Sequence, residues 1–299
     1  MKEEYLRTDL AREVLPENNE TIPGIRESEH ESGGFSVHCV RVCDADAAER
    51  IGKPIGTYLT VDCGRVDRMD AETRERLARV LSGELRGMTE AVCGKRADAQ
   101  LSVLIIGLGN ASLTADAIGP TTVRRMTATA HLPNADPKLY RSLGCSAVSL
   151  LAPGVLGQSG IETGVMVEAV SREVSPDLII VIDALVARDL ERLASTVQLS
   201  DTGIVPGSGV GNHRRALTRE HLGVPVLALG VPTVVGSSTL VYDALACAGI
   251  GEPSPKLREV LENGKNFFVS LKESDLVTEQ VGAILSRALS LAFLGGMEL

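Results

Sequence analysis

Three short runs constrain this chain more than anything else in it. Residues 101–108 (LSVLIIGL), 178–184 (LIIVIDA) and 224–229 (VPVLAL) are almost continuously apolar. A strand with one wet face alternates polar and apolar side chains, whereas a strand covered on both faces does not. Residues 146–151 (SAVSLL) form a fourth such run. Helical stretches of ordinary length separate them, at about 115–130, 161–174 and 237–248. Strands that alternate with helices predict an α/β fold: a mostly parallel central sheet with helices on both faces. Residues 196–199 read as a short edge strand, and residues 70–93 and 275–294 as amphipathic helices. At the N-terminal end, residues 1–34 read as polar and irregular. Residues 35–42 (FSVHCVRV) and 57–61 (TYLTV) read as added strands that extend the sheet or form a side layer.

Composition narrows the function classes. The 299 residues suffice for a sizeable core. Thirty Lys and Arg stand against 39 Asp and Glu, a net charge of −9, the opposite of a general nucleic-acid binder. With no Trp, four Tyr and four Phe, little is available for base stacking. Residues 1–20 are too polar for a signal peptide, and the apolar runs are too short to span a bilayer. The six cysteines are scattered, and Cys39 and Cys43 lack the second pair of a zinc site, so they read as thiols of a reducing, cytoplasmic compartment.

In open α/β sheets ligands bind outside the carboxyl ends of the strands. That rule selects Gly107-Leu108-Gly109-Asn110 with the following Asp116, then Asp183, then the loop Gly207-Ser208-Gly209-Val210-Gly211-Asn212-His213-Arg214. Strand-GxG-turn opens a dinucleotide site, but Ser112 stands where the third glycine belongs, so the fingerprint is broken. Asp116 and Asp183 could be a cap and a satisfied core acid. If they converge, two carboxylates can activate water and protonate a leaving amine. With His213 they could instead hold a divalent metal. Backbone amides of Gly109, Asn110, Gly207, Gly209 and Gly211 are candidates to bind an oxyanion or substrate. No HExxH helix and no G-x-S-x-G elbow occurs.

These residues resemble the germination proteases of spore-forming Firmicutes, endopeptidases that degrade small acid-soluble spore proteins. The likeness runs through YLRTDLARE (5–13), GLGNASLTADAIGP (107–120), APGVLGQSGIET (152–163), IIVIDALVARDLERL (179–193), QLSDTGIVPGSGVGNHR (198–214) and LGVPVLALGVPTVV (222–235). It is similar, more distantly, to the hydrogenase maturation endopeptidases. The resemblance implies a phosphorylase/hydrolase-like fold and a self-processing zymogen. Asp116 and Asp183 fall at the family's two essential aspartates, and His213 is a possible third site residue. No cofactor is implied, with a divalent metal left open.

The implied cut lies between Asp9 and Leu10, giving a propeptide of residues 1–9 and a single α/β catalytic domain of residues 10–299. An acid before the cut needs a cation in the cleft, for which Arg214 or Arg215 is the candidate. The implied partners are spore proteins and copies of the chain in a homo-oligomer (a tetramer in the family), with no direct nucleic acid or membrane. The implied location is the forespore and spore core. A metal-binding maturation endopeptidase and a non-catalytic nucleotide-binding module remain alternatives.

Overall fold

The computed structural model describes residues 8–16, 22–206, 215–250, 253–263 and 267–295. Nine strands form one mixed sheet: β1 (Ile25–Ser32), β2 (Phe35–Val42), β3 (Gly56–Asp62), β4 (Ser102–Gly107), β5 (Ala147–Leu151), β6 (Leu178–Ala187), β7 (Thr196–Ser200), β8 (Val226–Gly236) and β9 (Phe268–Ser270). The helices are α1 (Ala45–Ile51), α2 (Ala71–Cys93), α3 (Ile118–Arg124), α4 (Leu132–Ala135), α5 (Pro137–Leu143), α6 (Leu156–Ser159), α7 (Thr163–Val174), α8 (Arg219–Leu222), α9 (Ser237–Cys247), α10 (Pro255–Asn263) and α11 (Ser274–Phe293).

The strand order is β1-β2-β3-β7-β8-β6-β4-β5, with β9 on β8. The four apolar runs are the parallel unit β5-β4-β6-β8. All other pairings are antiparallel. Alternate residues of β4 and β6 feed opposite layers, which is why these strands read as continuous apolar runs. Val103, Ile105, Ile180 and Ile182 join α2, α3 and α11 in the main core. Leu104, Ile106, Ile179 and Val181 pack on Val167 of α7.

Helix α2 starts where Asp70 accepts the Thr73 N–H at 2.8 Å and stops at Gly94 in the left-handed region. Its buried stripe of Leu77, Leu81 and Leu85 faces α11 in the core. Helix α11 is long and apolar enough to cross a membrane by length and composition, yet most of it is buried inside the protein.

Four expectations need correction. Residues 196–199 do not form an edge strand: β7 lies between β3 and β8, with all five residues buried. It carries the N-terminal meander into the sheet. The polar opening contains β1, whose sequence IRESEHES shows no apolar face because it is an outer strand paired only with β2. The helix expected over 115–130 shrinks to a 3-10 turn, Thr114–Asp116, and α3. Further on, Thr129 bonds to β5, accepting from Val148 N and donating to Ser146 O, which takes it out of any helix. Strand β6 does not end at Ala184 but runs to Ala187.

Asp177 fastens β6 to β4 at their entry. It accepts from Ser102 N at 2.9 Å and Lys95 Nζ at 2.6 Å, while its own N–H reaches Ser102 Oγ at 3.0 Å. Burial raises its pKa, but the bonds from Lys95 and Ser102 outweigh this, so the carboxyl titrates below its ordinary 3.8. A depressed carboxylate stabilises the fold above the unfolded pKa and loses that contribution as pH falls through the folded one. Asp177→Ala is expected to cost about 1–2 kcal/mol near neutral pH by stranding Ser102 N. The loss should fade in the most acid part of a urea-denaturation series.

Candidate active site

The site forms where the parallel strand order reverses. From β4 the chain crosses to β5 on one side. It then crosses back to β6 on the other, with α3 and α7 in opposite layers. Such a switch point leaves a crevice at the carboxyl ends of the strands. The last β4–β6 pair is Gly107 with Ile182. Asp183 is therefore the first β6 residue beyond the end of β4, a position that strand length alone did not mark.

Three glycines let the chain turn tightly there. A Cβ on Gly107 would lie 2.2 Å from Gly119 O, and one on Gly119 would lie 2.3 Å from Leu108 O. Gly109 sits at φ +112°, and a Cβ would lie 1.9 Å from Asp116 O. These glycines serve close backbone packing, which accounts for GLGN without a phosphate. The loop then folds onto itself: Asn110 N–H donates to Asp116 Oδ2 at 2.8 Å. Asn110 Oδ1 accepts from Ser112 N at 3.0 Å and Gln158 Nε2 at 2.9 Å.

The turn bearing Asp116 is held from two further elements. Thr233 Oγ1 of β8 donates to Ala115 O at 2.7 Å, and Thr278 Oγ1 of α11 donates to Thr114 O at 2.8 Å. Neither threonine stands out in the sequence, because each acts only across the tertiary fold. Asp183 is 8% exposed and accepts from Ala184 N at 2.9 Å.

Asp116, Asp183 and Gly109 line one cavity of about 660 Å³. So does Asp9, distant from both aspartates in sequence. The N-terminal segment is docked there rather than frayed. Asp9 N–H donates to Val186 O at 2.8 Å, and Asp9 Oδ2 accepts from Val186 N at 2.8 Å. Gln198 clamps the next link, with its Nε2 to Asp9 O at 3.1 Å and its Oε1 accepting Ala11 N at 2.8 Å. Leu10 is fully buried among Leu185, Ala187, Leu193 and Val235.

Gly207, Gly209, Gly211, His213 and Arg214 lie outside the described residues. Pro206, the residue before that loop, lines the cavity. Arg215 is not available to the cavity: its guanidinium pairs with Glu168 at 2.8 Å and its N–H donates to Glu162. Among the described residues, no group of three or more His, Cys, Asp and Glu is placed to hold a metal ion. The six cysteines are free thiols, and burial pushes Cys63 up to about 12.

The family model for germination proteases matches residues 3–248. The chain belongs to the germination protease family. Curated members include that of Caldanaerobacter subterraneus subsp. tengcongensis, 37% identical over 98% of this chain and 95% of its own length. The Clostridium acetobutylicum member is 35% identical over 98% and 97%. With the Bacillus cereus member the match is 41% identical but covers 80% of this chain and 66% of the other. The [NiFe] hydrogenase maturation protease of Thermococcus kodakarensis superposes with a TM-score of 0.31 and 17% identity, over 66% of this chain and 98% of that one. That overlap is too loose to build on. Membership makes this chain a protease.

Proposed function

We propose that this protease is an endopeptidase that starts the breakdown of small acid-soluble spore proteins during germination. In this reading it is made in the forespore as a zymogen and works in the spore core as a homo-oligomer. The observation that carries the reading is the convergence of Asp116 and Asp183 on one cavity whose wall also holds Asp9, the residue before the proposed cut. One carboxylate takes a proton from a water that attacks the scissile carbonyl carbon. The other, entering protonated, gives its proton to the departing amine nitrogen. The products are a carboxylic acid and a free amine, with no oxidant or other co-reactant required.

The amide of Asn110 already serves Asp116. Stabilisation of the tetrahedral oxyanion therefore falls to Gly109 and, as the sequence suggests, to the loop bearing Gly207, Gly209 and Gly211. His213, in that same loop, remains a candidate third site residue. The reading uses no cofactor, and no step passes through a metal.

The same centre removes residues 1–9. Asp9 pairs with Val186, three residues past Asp183 along β6, which is about 10 Å at the rise of a strand. The docked register thus holds the bond away from Asp183 in this reading, and processing requires the segment to slip toward it. Mass spectrometry of matured protein is expected to show a chain beginning at Leu10. A matured chain that keeps residues 1–9 removes the zymogen part of the reading. Purified protein is also expected to cut a small acid-soluble spore protein after acidic residues, equally with and without chelator. Loss of cutting with chelator would favour a metal-dependent mechanism.

A further inference from the structure

A cleft that binds an acidic residue must offset the cost of bringing a carboxylate next to Asp116 and Asp183. Among the described residues that line the cavity, there is one cation, Lys53, against Asp9, Asp116 and Asp183. Its placement follows from α1. That helix begins where Asp44 accepts the Ala47 N–H at 2.9 Å and ends on left-handed Gly52, after which Lys53 N–H closes onto Ala48 O at 3.2 Å. The closure aims the side chain at the N-terminal segment, where Nζ donates to Thr8 O at 2.8 Å. Thr8 is the residue before Asp9, and Thr8 Oγ1 is in turn tied to Glu13.

We propose that Lys53 is the specificity residue that reads the acidic side chain before the cut bond, and that in the uncut chain the Thr8-Asp9 segment holds it in place of a substrate's acid. The proposal rests on the endopeptidase reading above. It replaces Arg214 and Arg215 in the role assigned to them from sequence. Burial pulls the Lys53 ammonium below the ordinary lysine value, while Asp9 and Glu13 act against that fall. A desolvated ammonium of this kind gains most from a carboxylate partner. Its four-carbon stem lets the charge follow the acid from the docked position into the cavity. Release of residues 1–9 takes away both Thr8 O and Asp9, which leaves Lys53 facing the space a substrate enters.

The test uses the matured chain, residues 10–299, for wild type and variants alike, and two nonapeptides: the sequence of residues 5–13 (YLRTDLARE), and the same peptide with Asn in place of Asp9. Wild-type protein is expected to prefer the Asp peptide in kcat/KM by about 30-fold or more, the range for a desolvated charge pair. Lys53→Met and Lys53→Gln are expected to bring that ratio close to one, chiefly through KM. Lys53→Arg should keep most of it. Thermal unfolding identifies which variants are folded. A folded Lys53→Met or Lys53→Gln protein that retains the wild-type ratio overturns the proposal. If wild-type protein cuts neither peptide, the endopeptidase reading fails and the assignment of Lys53 falls with it.

Discussion

Asp116→Asn and Asp183→Asn are each expected to lower self-processing and spore-protein digestion by about two to four orders of magnitude, with the loss in kcat. Asn matches Asp in size but neither takes nor gives a proton at the reacting atoms. The local structure should survive. In the first variant the new amide oxygen can accept the Asn110 N–H as Asp116 Oδ2 does, and in the second it can accept Ala184 N as Asp183 Oδ1 does. Unfolding temperatures close to wild type should therefore accompany the lost activity. Either variant retaining normal proteolysis rules out the two-carboxylate mechanism. Because the two groups act as one unit, the double variant should be scarcely worse than either single.

Gly109→Ala is expected to be nearly as damaging for a different reason. The new methyl would fall 1.9 Å from the backbone oxygen of Asp116 and 3.0 Å from its Oδ1, on a residue at φ +112°. The nearest atom is backbone, so the turn bearing Asp116 must shift. Displacing a reacting group by about 1 Å costs on the order of 10²-fold in rate. The backbone conformation adds about 1–3 kcal/mol of destabilisation. Gly94→Ala is the control, with a similar left-handed demand at φ +65° but no atom within 4 Å of the added carbon. It should cost about 1–2 kcal/mol and leave kcat/KM unchanged. Equal activity in the two alanine variants would show that the tight turn at Gly109 does not position Asp116.

The parts of the molecule that were legible in sequence are those whose cause is local. Strands β4, β6 and β8 announced themselves because burial on both faces leaves no room for polar alternation. Helix α2 announced itself through the spacing of Leu77, Leu81 and Leu85. Asp116 and Asp183 stood out as acids beside apolar runs. By contrast, β7 was misplaced at an edge because TVQLS has polar residues at alternate positions. Those positions are buried, and the most polar of them has its partners: Gln198 is satisfied by the backbone of Asp9 and Ala11. Strand β1 was missed because polar residues on an outer strand look the same as those of a loop.

By itself, then, the sequence determined the parallel unit, its covering helices and the two acids at its carboxyl edge. Each follows from a residue's own neighbours within a turn or a strand. Only the tertiary structure decided that Asp183 stands just past the end of β4, that Thr233 and Thr278 hold the turn carrying Asp116, and that Lys53 meets the Thr8-Asp9 segment. Those arrangements are made between residues far apart in the chain. No local periodicity records them, because backbone pairing and long-range hydrogen bonds depend on where the strands stop and not on what precedes them.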